Sequence, residues 1–147
     1  MAAWAGLVGV VAGALIAFAG QYVMRRGDKQ ERFDALLLEQ FAVIIALSED
    51  FRNRVWEERN HVASDVVGKW DLEAYRRAEA RLRVLSQSPR VKAALEALDD
   101  AGAELGGAWR TASGDKAAID SALAAHRDAI ERFVAVSAQV IRHRAVL

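Results

Sequence analysis

The chain has 147 residues, 20 basic and 20 acidic side chains that cancel, one proline and no cysteine. Neutrality removes the global field that would gather nucleic acid or an anionic substrate, and the missing cysteines exclude disulfides, thiolate catalysis and Cys-based zinc sites. An alanine-rich sequence with a single proline predicts helix nearly throughout, an all-α fold.

Ala2 to Met24 carries no charge. As a helix this stretch would be ~35 Å long, enough to cross a hydrocarbon core of ~30 Å, and Trp4 and Tyr22 would lie ~27 Å apart, near the two aromatic belts. An export signal places its positive charge before the apolar run, whereas here Arg25, Arg26 and Lys29 follow it. The expectation is a retained transmembrane anchor over residues 1–27 in the inner (cytoplasmic) membrane, with the N-terminus outside and residues 28–147 forming a cytoplasmic domain. Ala5, Gly9, Gly13 and Ala17 recur every four residues, a small-residue face that would let two anchors pack closely and make a homo-oligomer.

Gly27 and Asp28 read as a break and a helix start, with Glu31 at the capping-box position. Phe33, Leu37, Phe41, Ile44, Leu47, Phe51 and Val55 then form one apolar stripe on a helix reaching about residue 62. After a turn, Asp71 is placed as an N-cap and Trp70 as a staple on Tyr75, and Tyr75, Ala78, Leu82 and Leu85 carry the next stripe. Pro89 occupies the first-turn position that proline tolerates, and Val91, Leu95, Leu98, Gly102 and Leu105 resume the pattern. Asp115 can cap a last helix along Ile119, Leu123, His126, Ile130, Phe133, Ser137, Val140 and Leu147.

Three arms of similar length predict an antiparallel three-helix bundle whose middle arm is broken at the proline; the alternative reverses the chain at Ser88-Pro89 into a four-helix bundle. In the three-arm arrangement Trp109 and Arg110 would return to the bilayer side.

The Gly-rich anchor, the "MRR" flank, "YRRAEARLRVLSQSPRVKAALEAL" and "HRDAIERFVAVSAQVI" together resemble a group of small, uncharacterised bacterial single-pass membrane proteins. The match spans nearly the whole chain and is most specific at Leu82, Val84, Leu85, Ser88, Pro89 and Val91. The resemblance implies the anchored helical architecture and brings no activity, cofactor or substrate with it.

Sites of chemistry are sparse. Glu58-Arg59-Asn60-His61 is an E-x-x-H, but a di-iron bundle needs a second such unit, so no metal or other cofactor is expected. His126 falls on an apolar stripe, a seam histidine. No nucleophile elbow, phosphate loop or dinucleotide fingerprint occurs, so neither an enzyme nor a small-molecule substrate is expected.

Charge is more informative. Arg76, Arg77, Arg81 and Arg83 precede Glu96, Asp99, Asp100 and Glu104, an order opposed to the helix dipole, so these residues are candidates for a partner surface. Internal pairing of Glu96, Asp99 and Asp100 with Arg127 and Arg132 is the simpler expectation. Nucleic acid is not expected, since exposed aromatics are not interleaved with the bases. The function that fits is a non-enzymatic, membrane-anchored scaffold or adaptor for an unidentified protein partner; the alternative is a small effector whose Gly-lined anchors assemble to permeabilise the bilayer.

Overall fold

The computed structural model describes residues 28–111 and 115–145, and among them there is no strand. Helix α1 spans Asp28–Arg59, a 3-10 turn follows at Val67–Lys69, and α2 (Leu72–Leu85), α3 (Pro89–Thr111) and α4 (Lys116–Ala145) complete the fold. The anchor expected over 1–27, including Ala5, Gly9, Gly13, Ala17, Arg25 and Arg26, lies outside the described residues, while Lys29 falls in the first turn of α1. Among the described residues no helix is long and apolar enough to cross a membrane.

The local rules operate as expected at several starts. Asp71 accepts from Ala74 N at 2.8 Å and Asp115 from Ala117 N and Ala118 N at 3.1 and 3.2 Å, each carboxylate satisfying amides that a first turn leaves without partners. The Trp70 and Tyr75 rings lie 5.6 Å apart across the α2 start, as a hydrophobic staple requires. Helix α1 stops at Arg59, short of residue 62, because the chain turns at Asn60 and His61 takes a left-handed φ of 57°.

Among the described residues the bundle has four helices, the alternative left open by the sequence, which corrects the three-arm expectation. Tyr75 Oη donates to Asp99 Oδ1 at 2.7 Å. Were α2 and α3 one continuous arm, these residues would stand ~36 Å apart. The reversal occurs at residues 86–88: Ser86 is extended, with φ −109° and ψ 120°, while its N–H donates to Leu82 O at 2.8 Å. Ser88 precedes proline, whose ring disfavours helical backbone there, so α2 ends and α3 restarts in the opposite direction.

The remaining pairs are antiparallel too. Phe41 meets Phe133 edge-on at 5.8 Å, Arg59 bonds Asp120 at 2.6 Å and Arg144 bonds Asp34 at 2.9 Å, so α4 descends along the whole of α1. Helix α2 is short, ~21 Å against ~48 Å for α1. It covers the half of the bundle nearest residue 28, where Leu37, Phe41, Ile44, Leu82, Leu95, Leu98, Ile130 and Phe133 form the main core. In the other half the segment 60–71 closes the fourth side, placing Val67 against Phe51, Val55, Leu105, Ile119 and Leu123. Trp70 packs on both clusters and donates from Nε1 to Leu47 O at 2.9 Å.

Trp109 therefore lies at the end remote from residue 28. Its indole donates to Glu58 Oε2 at 3.0 Å, so it closes the far end of the bundle, contrary to the bilayer-side placement. The reversal at residues 86–88 inverts the direction of α3 and moves that turn to the opposite end.

Candidate functional site

The eight charged residues singled out on the middle segments separate into two groups. Arg83 and Asp99 belong to an internal network: Arg83 bonds Glu79 at 2.8 Å on its own helix and reaches Asp99 at 3.4 Å and Glu96 at 4.0 Å on α3. Asp99 also accepts the Tyr75 hydroxyl, beside which lies Ser48, buried on α1. Three helices thus converge on one phenol. Burial, then the Asp99 carboxylate, holds Tyr75 far above the usual tyrosine range, so it remains a proton donor. Burial pushes the Asp99 carboxyl up to about 6, against the lowering effect of the Tyr75 hydrogen bond and of Arg83. The Glu79 hydrogen bond raises the pKa of Arg83, which stays charged.

That network corrects the expected pairing with α4. Glu96 and Asp99 turn toward Arg83 of α2, while Arg127 finds only Asp128, at 3.9 Å, and Arg132 forms no ion pair among the described residues. Lateral order decides this: the side of α3 next to its core face that carries the acids borders α2.

The second group faces outward. Arg76 and Arg81 on α2, and Asp100 and Glu104 on α3, are exposed and form no ion pair among the described residues. Arg77 has only its helix neighbour Glu73, at 3.5 Å. Val84 is 77% exposed on the same side of α2, one turn beyond Arg81. An aliphatic side chain left that bare beside cations is a patch with both apolar and cationic character.

Glu58 fills a structural role that its E-x-x-H context obscured. Its Oε1 accepts from Val66 N and Val67 N, its Oε2 from Trp109, and Arg54 adds a bond to Val66 O at 2.9 Å. The carboxylate pins segment 60–71 to the bundle. His61 lies beyond the helix end and is exposed, so Glu58 and His61 do not project from one helical face. Among the described residues no group of His, Asp and Glu is arranged to hold a metal.

His126 is buried at 2% exposure, edge-on to Phe51 at 5.9 Å and against Gly102, with Nδ1 lacking a partner. Burial, then the Arg52 charge, lowers its pKa to about 4, so the imidazole is neutral at physiological pH. Sequence reasoning found its seam position, yet missed the Ser48–Tyr75–Asp99 convergence and the Glu58 clamp. Both join residues far apart in the chain, and no local pattern signals them.

Comparisons with protein-family models, curated proteins and solved structures give no match to this chain.

Proposed function

We propose that the chain is a single-pass membrane protein, anchored by residues 1–27 with its bundle in the cytoplasm, that serves as a non-enzymatic adaptor for another protein. One observation carries the adaptor reading: Val84, 77% exposed, lies one turn beyond Arg81 on an outer side of α2 that also carries Arg76 and Arg77 two turns away. An exposed aliphatic group at the end of a row of arginines suits a partner surface that offers acidic side chains beside an apolar spot, with the charges steering approach and the valine adding desolvation on contact. The uncharged run from Ala2 to Met24 and the basic flank after it support the anchor and its orientation.

A photoreactive residue at position 84 of the full chain tests the reading in native membranes. A discrete adduct that disappears when Arg76 and Arg81 are changed to Glu, with no adduct from position 124 on the exposed side of α4, supports it. An effector that opens the membrane is the competing outcome: induction of the full chain would collapse the membrane potential, and position 84 would yield no adduct.

A further inference from the structure

Segments distant in sequence meet at the end of the bundle nearest residue 28. The Arg144 guanidinium bonds Asp34 Oδ1 at 2.9 Å and lies 5.0 Å over the Phe33 ring, joining the last turns of α4 to the start of α1. Ser88, just before α3, and Arg90 in its first turn line an open groove of about 580 Å³ together with Val140, Arg142 and His143 of α4.

This end is cationic. Arg32, Arg90 and Arg142 are exposed and form no ion pair among the described residues, and Lys92 reaches only the neutral Gln87 Oε1, at 3.5 Å. Of the acids in the first turns of α1, Asp34 is neutralised by Arg144, which leaves Asp28 and Glu31 against Lys29, Arg32, Arg90, Lys92 and Arg142 in the sequence of this end. At the other end Arg59 and Lys69 are paired with Asp120 and Asp65, and the exposed Arg110 and Lys116 stand among Glu57, Glu104 and Asp115, so that end carries no excess of cations.

The cationic end is also the one from which the apolar run departs. Three residues, Arg25, Arg26 and Gly27, lie between Met24 and Asp28, a span of at most ~14 Å even fully extended. If that run is in the bilayer, these arginines are held within roughly one to two Debye lengths of the headgroups, at a high effective concentration. The groove beside them has an aliphatic wall at Val136 and Val140 and, His143 apart, no ring on which a base could stack, which suits a lipid headgroup better than a nucleic-acid base.

We propose that this end of the bundle docks on anionic phospholipid headgroups, with Arg32, Arg90 and Arg142 meeting their phosphates and the groove beside Ser88 receiving a headgroup. The anchored chain then stands upright, α2 and its arginine face lateral to the bilayer and Trp109 directed away from it. The proposal rests on the anchor reading only for how the bundle reaches the membrane.

The chain has no cysteine, so a fluorescent label can be placed at one introduced site. The full chain labelled through Gln87→Cys at the cationic end, or Ser121→Cys at the other, is reconstituted in vesicles of phosphatidylcholine alone or with phosphatidylglycerol, both containing a headgroup-quencher lipid. Quenching at position 87 is expected to deepen with phosphatidylglycerol and to fade in high salt, with position 121 unquenched. Combining Arg90→Glu and Arg142→Glu should lower the docked population by about tenfold or more, since each cation near such a surface contributes about fivefold. Arg90→Lys with Arg142→Lys should retain quenching, which separates charge from misfolding. Retention in both vesicle types through an alkaline wash, with equal quenching in each, overturns the docking and leaves the anchor standing. Salt-sensitive binding to phosphatidylglycerol vesicles alone, with position 87 quenched, supports the docking and overturns the anchor. Binding to neither overturns both.

Discussion

Tyr75 and Asp99, 24 positions apart and on different helices, share a 2.7 Å hydrogen bond that fastens α2 against α3. Removing the hydroxyl leaves a half-buried carboxylate without its donor, and hydrogen bonds to charged groups contribute about 1.5–3 kcal/mol. Tyr75→Phe is therefore expected to destabilise the fold by about 1–2 kcal/mol, read as a lower urea midpoint with an unchanged slope. A neutral result would mean that Arg83 alone holds Asp99.

Acid should act on two groups in opposite directions. The folded pKa of His126, about 4, lies below its ordinary 6.5, so the stability it confers is complete above about pH 6.5 and lost as pH falls toward 4, roughly 3 kcal/mol in all. Asp99 is raised from 3.8 to about 6, so its contribution is present below about pH 3.8 and lost as pH rises through 6. Relative to the unaltered chain, His126→Leu should flatten the acid loss between pH 6.5 and 4, and Asp99→Asn should steepen it. Urea titrations at pH 7, 6, 5 and 4 measure both; parallel curves for all three proteins would contradict the assignment.

Glycine in α3 is not required everywhere. A Cβ at Gly107 would meet nothing within 4 Å, and glycine inside a helix costs about 0.5–1 kcal/mol relative to alanine. Gly107→Ala should raise the melting temperature by a few degrees, on the order of 4 °C. A fall would point to backbone flexibility being used near Trp109.

Glu58→Gln should loosen the segment it pins. With the carboxylate neutralised, its bonds to the Val66 and Val67 amides weaken, and hydrogen exchange at those two amides should accelerate about tenfold while Leu95 and Leu98 in the main core change little. Uniform acceleration at all four positions would show a global loss of stability instead.

Filling the main core is a matter of aromatic volume as much as area. Phe41 and Phe133 are fully buried and meet edge-on, so Phe133→Ala is expected to cost about 3–5 kcal/mol, and Phe133→Leu considerably less. Thermal unfolding followed by circular dichroism ranks the two; equal losses would argue against a tightly packed ring pair.

Periodicity and end chemistry are local, and the sequence by itself determined what depends on them. Of the stripe residues, Leu37, Phe41, Ile44, Leu82, Leu95, Leu98, Ile130 and Phe133 are buried, Phe33, Leu47, Leu85, Gly102 and Val140 are partly buried and Leu147 lies outside the described residues, since a 3.6-residue repeat has only one side to offer a core. Asp71, Asp115 and the Trp70–Tyr75 staple act where their spacing placed them. The direction of the chain after Ser88 is another matter. Proline at a first turn suits a restart in either direction, and the choice came from burying α2 along the lower half of α1 while residues 60–71 cover the upper half. Once α2 lay beside α3, Arg83 became the counter-ion for Asp99 in place of Arg127 or Arg132, and Trp109 was carried to the far end against Glu58. Partner choice among exposed charges rests on about 1 kcal/mol or less per pair, whereas core burial decides helix order with far larger free energies, so the ion pairs follow the tertiary fold and could not be read ahead of it.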